Sequence, residues 1–183
     1  MLAARTLLSF ADITVANLAV KTVLDGAVRK PDFPALPETF SFRSRRMHLI
    51  TAKSQLSPNV TRLDVEARRI AEIRQPGQFV IVRRANGAER IPLTIADADP
   101  ARGTIALVIQ AVGKSTRELV ALEPGEGILD ISGPLGHPTE MITSGRAVCV
   151  GGGVGTAVVH PIAHGLHQRG VEVISIIGRR SRE

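Results

Sequence analysis

Three short stretches hold residue types that could do chemistry together. In RIPLTIAD (90–97), Arg90 opens an otherwise apolar run and Thr94 follows four residues later. A guanidinium there can pair with an anion and the hydroxyl can bond a ligand. An edge arginine in solvent and a β-branched residue filling space would use the same residues. The second stretch, VGKST (112–116), leads into TRELVAL, which reads as a helix with Ser115 to Glu118 as its capping box. First-turn amides and the Ser115 and Thr116 hydroxyls can hold an anion, or they can simply cap the helix. The third, CVGGGVGTAVVHP (149–161), sets glycines between an apolar run and a helix start. Such glycines let the backbone approach phosphates, although the same turn also serves as a tight structural corner. Taken together, the arginine and the amide-rich helix start make a pyrophosphate clamp, and the glycine turn fits either a nucleotide cradle or a structural corner.

The elements around these stretches must position them. From Met47 the texture is β, with strands at 47–56, 60–67, 79–84, 90–97, 104–112 and 127–132. Turns fall at PGQ (76–78) and at NG (86–87), the latter a strong hairpin signal. Six short strands predict a small closed barrel, here assigned to residues 47–140. At Arg146 the pattern changes. RAVCVGGG (146–153) reads as a buried parallel strand, 154–168 as a helix stopped by Gly170, and VEVISIIG (171–178) as a second strand. That is one β–α–β unit with a right-handed crossover. Two strands and one helix cannot cover both faces of a sheet, so 145–183 reads as a partial α/β domain. Residues 1–46 carry three prolines in KPDFPALPETF and little pattern. They read as a poorly ordered extension or a non-native leader, with Met47 as the natural start. Asp12, Asp25, Asp32 and Glu38 argue against an organelle transit peptide.

Composition narrows the function. The chain has 183 residues, a net charge of +6 and 44% hydrophobic residues, enough for a packed core. With five Phe, no Trp and no Tyr it offers few rings for stacking bases, and its positive charge is scattered, so no nucleic-acid partner is expected. The single cysteine, Cys149, leaves no internal disulfide and no four-cysteine metal or iron–sulfur site. Inside a strand it reads as a small core hydrophobe rather than a nucleophile. No apolar run approaches the roughly 20 residues of a membrane span, and a cytoplasmic location is expected. His160, His164 and His167 share a helix face, but without a further ligand type nearby no metal site is assigned. Asp97 and Asp99 read as turn residues.

The order PGQF, RIPLTI, VGKSTREL, GPLG and CVGGGVGTA resembles the ferredoxin–NADP reductase superfamily. Within it the sequence is most similar to the flavoprotein subunit of NADH-dependent ferredoxin–NADP oxidoreductase, also described as sulfide dehydrogenase. The dihydroorotate dehydrogenase electron-transfer subunit is a close relative of that group. The resemblance covers residues 47–180 and does not cover 1–46. It implies a Greek-key FAD-binding barrel followed by a nicotinamide-nucleotide domain. The Arg-x-x-Ser/Thr flavin motif falls on RIPLT. Arg90 is then expected to pair with the FAD pyrophosphate, Ile91, Pro92 and Leu93 to shape the flavin pocket, and Thr94 to set its catalytic hydroxyl near the reactive edge. Val108, Ile109 and Gln110 would hold the flavin and ribityl region, largely through backbone. Gly113, Lys114, Ser115 and Thr116 match the phosphate-binding helix start, and GPLG (133–136) the link between domains. Gly152, Gly153, Gly155 and Thr156 match the NAD(P)H pyrophosphate loop.

The activity so implied is hydride transfer from NAD(P)H to FAD, then single electrons passed to an iron–sulfur cluster and a partner. The partners would be a larger flavin and iron–sulfur subunit and ferredoxin or a similar carrier. Three departures stand out. Leu93 replaces the aromatic of more distant reductases, and Val158 stands where Pro is usual, although Pro161 is kept. The family's later strands and its 2Fe–2S cysteines do not occur before Glu183, so the expected chain is C-terminally truncated, and efficient NAD(P)H oxidation by it alone is not expected. A non-catalytic FAD-holding module that docks on a partner, or an inactive truncated product, is the alternative. Arg179 and Arg180 stand where an acidic ribose ligand is usual, which suits either a 2′-phosphate, hence NADP, or a solvated strand end.

Overall fold

The computed structural model describes residues 47–178; the expectations for 1–46 and for Arg179 and Arg180 lie outside the described residues. Alternating apolar residues build the first sheet. In β2 (Val60–Glu66), Leu63 and Val65 point inward and are fully buried, while Arg62 and Asp64 stay partly exposed. The other strands are β1 (His48–Ser57), β3 (Phe79–Arg83), β4 (Arg90–Asp99), β5 (Thr104–Gln110), β6 (Gly127–Ile128) and β7 (Asp130–Leu135). They pair in the order β6-β1-β2-β5-β4-β3-β7, and the pairings between them are antiparallel. The β3-β4-β5 meander with β2 beside β5 is the Greek-key arrangement.

Closure comes from a strand expected to be continuous. The run at 127–132 breaks at Leu129, whose N–H donates to the Arg84 carbonyl (3.0 Å). Before the break β6 pairs with β1, and after it β7 pairs with β3. One bent segment thus joins both edges of the sheet, and the six expected strands become seven. Edge groups that would otherwise be left unpaired are satisfied in this way. The resulting core packs Ile50, Leu63, Val65, Val80, Val82, Ile95, Leu107, Ile109 and Ile128. Each such side chain contributes roughly 1.5–3 kcal/mol when fully buried.

Two helices attend the barrel. α1 (Arg68–Ile73) has no counterpart in the sequence reading; its Ile70 and Ala71 are buried in the barrel core. α2 (Lys114–Val120) packs Leu119 into the same core, but its cap differs from the expected Ser115–Glu118 box. Gly113 is the N-cap, and Thr116 Oγ1 accepts from the N–H groups of Gly113 (3.0 Å) and Val112 (3.1 Å).

β8 (Arg146–Gly152), a 3₁₀ turn (Gly153–Gly155), α3 (Thr156–His167) and β9 (Glu172–Gly178) form the β–α–β unit, with β8 and β9 parallel and in register from Arg146↔Glu172 to Gly152↔Gly178. α3 buries Leu166 against Cys149 and Val171. The buried strand expected at 146–153 is open on one face, as expected where two strands share a single helix: Val148 and Val150 are exposed, as are Ile174 and Ile176 on β9. α3 covers one face of this sheet only.

Candidate functional site

The ladder between β4 and β5 stops early. Its registered pairs run from Asp99↔Thr104 back to Ile95↔Leu107, with an irregularity between Ile95 and Asp97, and go no further. Beyond that point Arg90 to Thr94 pair only with β3, and Val108 to Gln110 pair only with β2. The two strands splay, and the two segments read as flavin-binding line the two sides of one gap. The backbone of 90–94 facing β5 is left without strand partners, which leaves its polar groups free for a ligand.

Strand periodicity sorts the residues of β4. Arg90, Pro92 and Thr94 are on the outer face, while Ile91 and Leu93 turn toward the core against which they pack. The interval from Arg90 to Thr94 is four residues, one more than in the Arg-x-x-Ser/Thr motif. Being even, it leaves guanidinium and hydroxyl on the same face. Cross-strand pairs carry that face onto β3: Thr94 opposes Phe79, Pro92 opposes Ile81 and Arg90 opposes Arg83. The site therefore has an apolar middle and a cationic end. On the other wall Ile109 is buried in the core and offers only backbone, whereas Val108 and Gln110 are partly exposed.

The helix start is drawn to the same end. Ser115 Oγ donates to Glu89 Oε2 (2.7 Å), tying the head of α2 to the residue preceding Arg90. Arg84 and Glu118 make a second tie (3.8 Å). Lys114 is exposed, and a Cβ at Gly113 would meet nothing within 4 Å. Thr116 spends its hydroxyl on the cap. Around Arg90 lie Arg83 and Asp130, and the Nε group of Arg83 is buried without an acceptor among the described residues. A cluster with more guanidinium donors than acceptors fits a diphosphate.

The glycine turn is open as well. Gly153 has φ +53, a conformation other residues adopt only with strain, and a Cβ at Gly153 or Gly155 would meet nothing within 4 Å. Gly152 is nearly as open, and Thr156 begins α3. Gly151, absent from the sequence reading, is the glycine that packing demands. A Cβ there would lie 3.1 Å from the Thr156 Cα, so a side chain would push strand end and helix start apart by a few tenths of an ångström. The turn comes within 8 Å of β5, the strand that ends in Val108–Gln110, by Cα positions. α3 packs on β4, where His160 Nδ1 donates to the Ala96 carbonyl (3.3 Å). His160, His164 and His167 line an open depression of about 520 Å³ with Asp97 and Ser175. Among the described residues no group of three or more His, Cys, Asp or Glu is placed to hold a metal. Cys149 is buried, and burial pushes its thiol above the ordinary 9.0, the behaviour of a core residue.

Sequence reasoning missed Phe79, Asp130 and Glu89. Phe79 carries a signal in its PGQF context, but its place opposite Thr94 depends on the β3–β4 register. The two carboxylates meet Arg90 and Ser115 only through the fold.

No family model matches the chain. It is 40% identical over 144 residues to an uncharacterised protein of the adh 3′ region of Clostridium beijerinckii, covering 75% of this chain and 49% of that protein. It is 38% identical over 134 residues to a dihydroorotate dehydrogenase B (NAD⁺) electron transfer subunit homologue of Thermotoga maritima, covering 73% and 48%. The chain spans about half the length of the curated relatives it matches. A solved NADH-dependent reduced ferredoxin–NADP oxidoreductase, from work on flavin-based electron bifurcation, superposes with a TM-score of 0.73 at 37% identity, covering 75% of this chain and 50% of that one. Phthalate dioxygenase reductase shares the fold, with a TM-score of 0.59 at 15% identity, covering 74% and 44%. No helix among the described residues is long and apolar enough to cross a membrane. Electron transfer subunit relatives of 34–38% identity and a solved oxidoreductase of 37% identity, each matched over about three quarters of this chain, place it in the ferredoxin–NADP reductase superfamily.

Proposed function

We propose that the chain is part of a flavoprotein oxidoreductase that passes electrons between NAD(P)H, FAD and an iron–sulfur or ferredoxin partner. Residues 47–140 would form its FAD barrel and 145–183 its contribution to the nicotinamide-nucleotide domain. The observation that carries this reading is the splay of β4 from β5, which sets Arg90–Thr94 across one gap from Val108–Gln110.

On this reading Arg90 holds the FAD diphosphate, and the Gly113–Thr116 turn holds it from the other side with backbone amides and the Ser115 hydroxyl. Pro92 gives the outer face of the gap its apolar surface, Phe79 and Ile81 extend it, and Ile91 and Leu93 back it from the core. Thr94, the residue assigned to the reacting edge, presents a hydroxyl on the outer face. The Gly152, Gly153, Gly155 and Thr156 turn would take the nicotinamide nucleotide's diphosphate at the start of α3, beside β5. The chemistry a bound flavin supplies is acceptance of a hydride and release of single electrons; the protein's share is position, exclusion of water and local charge. A 2Fe–2S cluster and a larger partner subunit belong to the same proposal, as does a cytoplasmic location. Relatives named as electron transfer subunits support the partner class.

The test is reconstitution. Protein incubated with FAD and freed of excess by gel filtration should retain the flavin's visible absorbance. Colourless protein would refute the proposal. Calorimetric titration of the loaded protein with NADH and with NADPH then shows which nucleotide the glycine turn binds, whether or not the flavin is reduced.

A further inference from the structure

The sheet register places Arg90, Arg83 and Asp130 in one row across β4, β3 and β7. Two like charges directly opposed destabilise a sheet unless something neutralises them. Asp130 does this: its Oδ2 lies 3.0 Å from Arg90 Nη2 and 3.7 Å from Arg83 Nη2. Its side chain is 22% exposed, against 49% for Arg90, so the carboxylate is the anchored member and Arg90 the member free to swing. At the opposite arm Glu89 accepts from Ser115 at 2.7 Å. Each arm of the diphosphate site is thus held by a carboxylate of the chain itself.

Carboxylate and phosphate oxygens compete for the same donors, because a guanidinium fork serves either. From this we infer that Asp130, with Glu89 on the other arm, sets the affinity for a diphosphate-bearing ligand by competition. The inference rests on the FAD reading for the ligand's identity. An incoming diphosphate takes Arg90 from Asp130 and Ser115 from Glu89. Asp130 is not orphaned by the exchange, since Arg83 stays beside it, and Glu89 is exposed to water. The exchange therefore strands no buried charge, which makes Asp130 a reversible stand-in for phosphate. Neutralising it removes a competitor and a negative charge next to the bound anion. Asp130→Asn should then tighten binding, the opposite of what loss of a positioning residue does.

The experiment titrates the full chain, Asp130→Asn, Asp130→Glu and Glu89→Gln with FAD and, separately, with inorganic pyrophosphate. The expected result is a Kd lowered about three- to fivefold by Asp130→Asn for both ligands, within the reach of a partly exposed ion pair. Glu89→Gln should lower it by about twofold, since that carboxylate is more solvated. Asp130→Glu, which restores the charge, should return the affinity toward that of the unaltered chain. Unchanged or weaker binding in both Asp130→Asn and Glu89→Gln overturns the inference while leaving the FAD reading intact. If Asp130→Asn does not fold, Glu89→Gln alone decides. Tightened pyrophosphate binding in a chain that ignores FAD upholds the competition and overturns the FAD reading. Binding of neither ligand overturns both.

Discussion

The barrel and the β8–β9 sheet are written in similar residues yet end in different states. In the barrel the inward row is sealed, and Leu63, Val65, Val80, Val82 and Leu107 have no exposed surface. In the parallel sheet Val148 and Val150 remain 58% and 63% exposed, and Ile176 53%. The difference is one of closure. The barrel bends its last strand at Leu129 so that one segment reaches both edges, and every inward side chain then meets another. The parallel pair has one helix, and one helix buries one face. Apolar content shows that a strand can be buried; topology decides whether it is.

This contrast makes mutational cost depend on the sheet. Leu107→Ala, in β5 of the sealed barrel, should cost about 2–5 kcal/mol in denaturant unfolding. Val150→Ser, of comparable hydrophobic loss on paper, should change stability by no more than about 0.5 kcal/mol. Equal costs would break the comparison.

Function separates the regions next. Arg90→Ala should weaken FAD binding by about 1.5–3 kcal/mol, the range for hydrogen bonds to a charged group, in a flavin fluorescence titration. Gly153→Ala should leave FAD affinity unchanged. Forcing a side chain into φ +53 should cost about 1 kcal/mol locally and weaken NAD(P)H binding, measured by calorimetry on the flavin-loaded chain.

The smallest effect is at Cys149. Its buried thiol ionises later than the same thiol in the unfolded chain, because burial disfavours the thiolate. Above about pH 9 the native state therefore holds a proton that the unfolded state has lost, and stability should fall as pH rises through the buried thiol's pKa. Below that range this group contributes no slope. The difference in unfolding free energy between Cys149→Ala and the unaltered chain should change with pH only on the alkaline side.

Much of this was legible before the fold. Leu63 and Val65 alternate against Arg62 and Asp64, so the face of β2 is written in its letters, and Asn86–Gly87 announces the β3–β4 hairpin. Arg90 and Thr94, an even number of residues apart, were bound to share a face of any strand containing them. What failed was local ambiguity or long range. α1 has six residues and no capping side chain, too little to stand out. The cap of α2 falls on Gly113 and Thr116 rather than Ser115 and Glu118, a pair of the same three-residue spacing that lies two positions further on. GILDIS reads as one strand because nothing in it signals a bend; Leu129 turns only because each half finds a different edge. Asp130 stands on Arg90 for the same reason, as the carboxylate arrives there through the β3–β7 pairing that closes the barrel.

The central claim is that the opening between β4 and β5 is the flavin site. Backbone amide NMR of the chain, recorded during FAD titration, tests it directly. The strongest shifts are expected at residues 90–94, 108–110 and 113–116, with the exposed face of β8 and β9 unmoved. Shifts centred instead on the depression at Asp97, His160 and His164, with 90–94 silent, would contradict it.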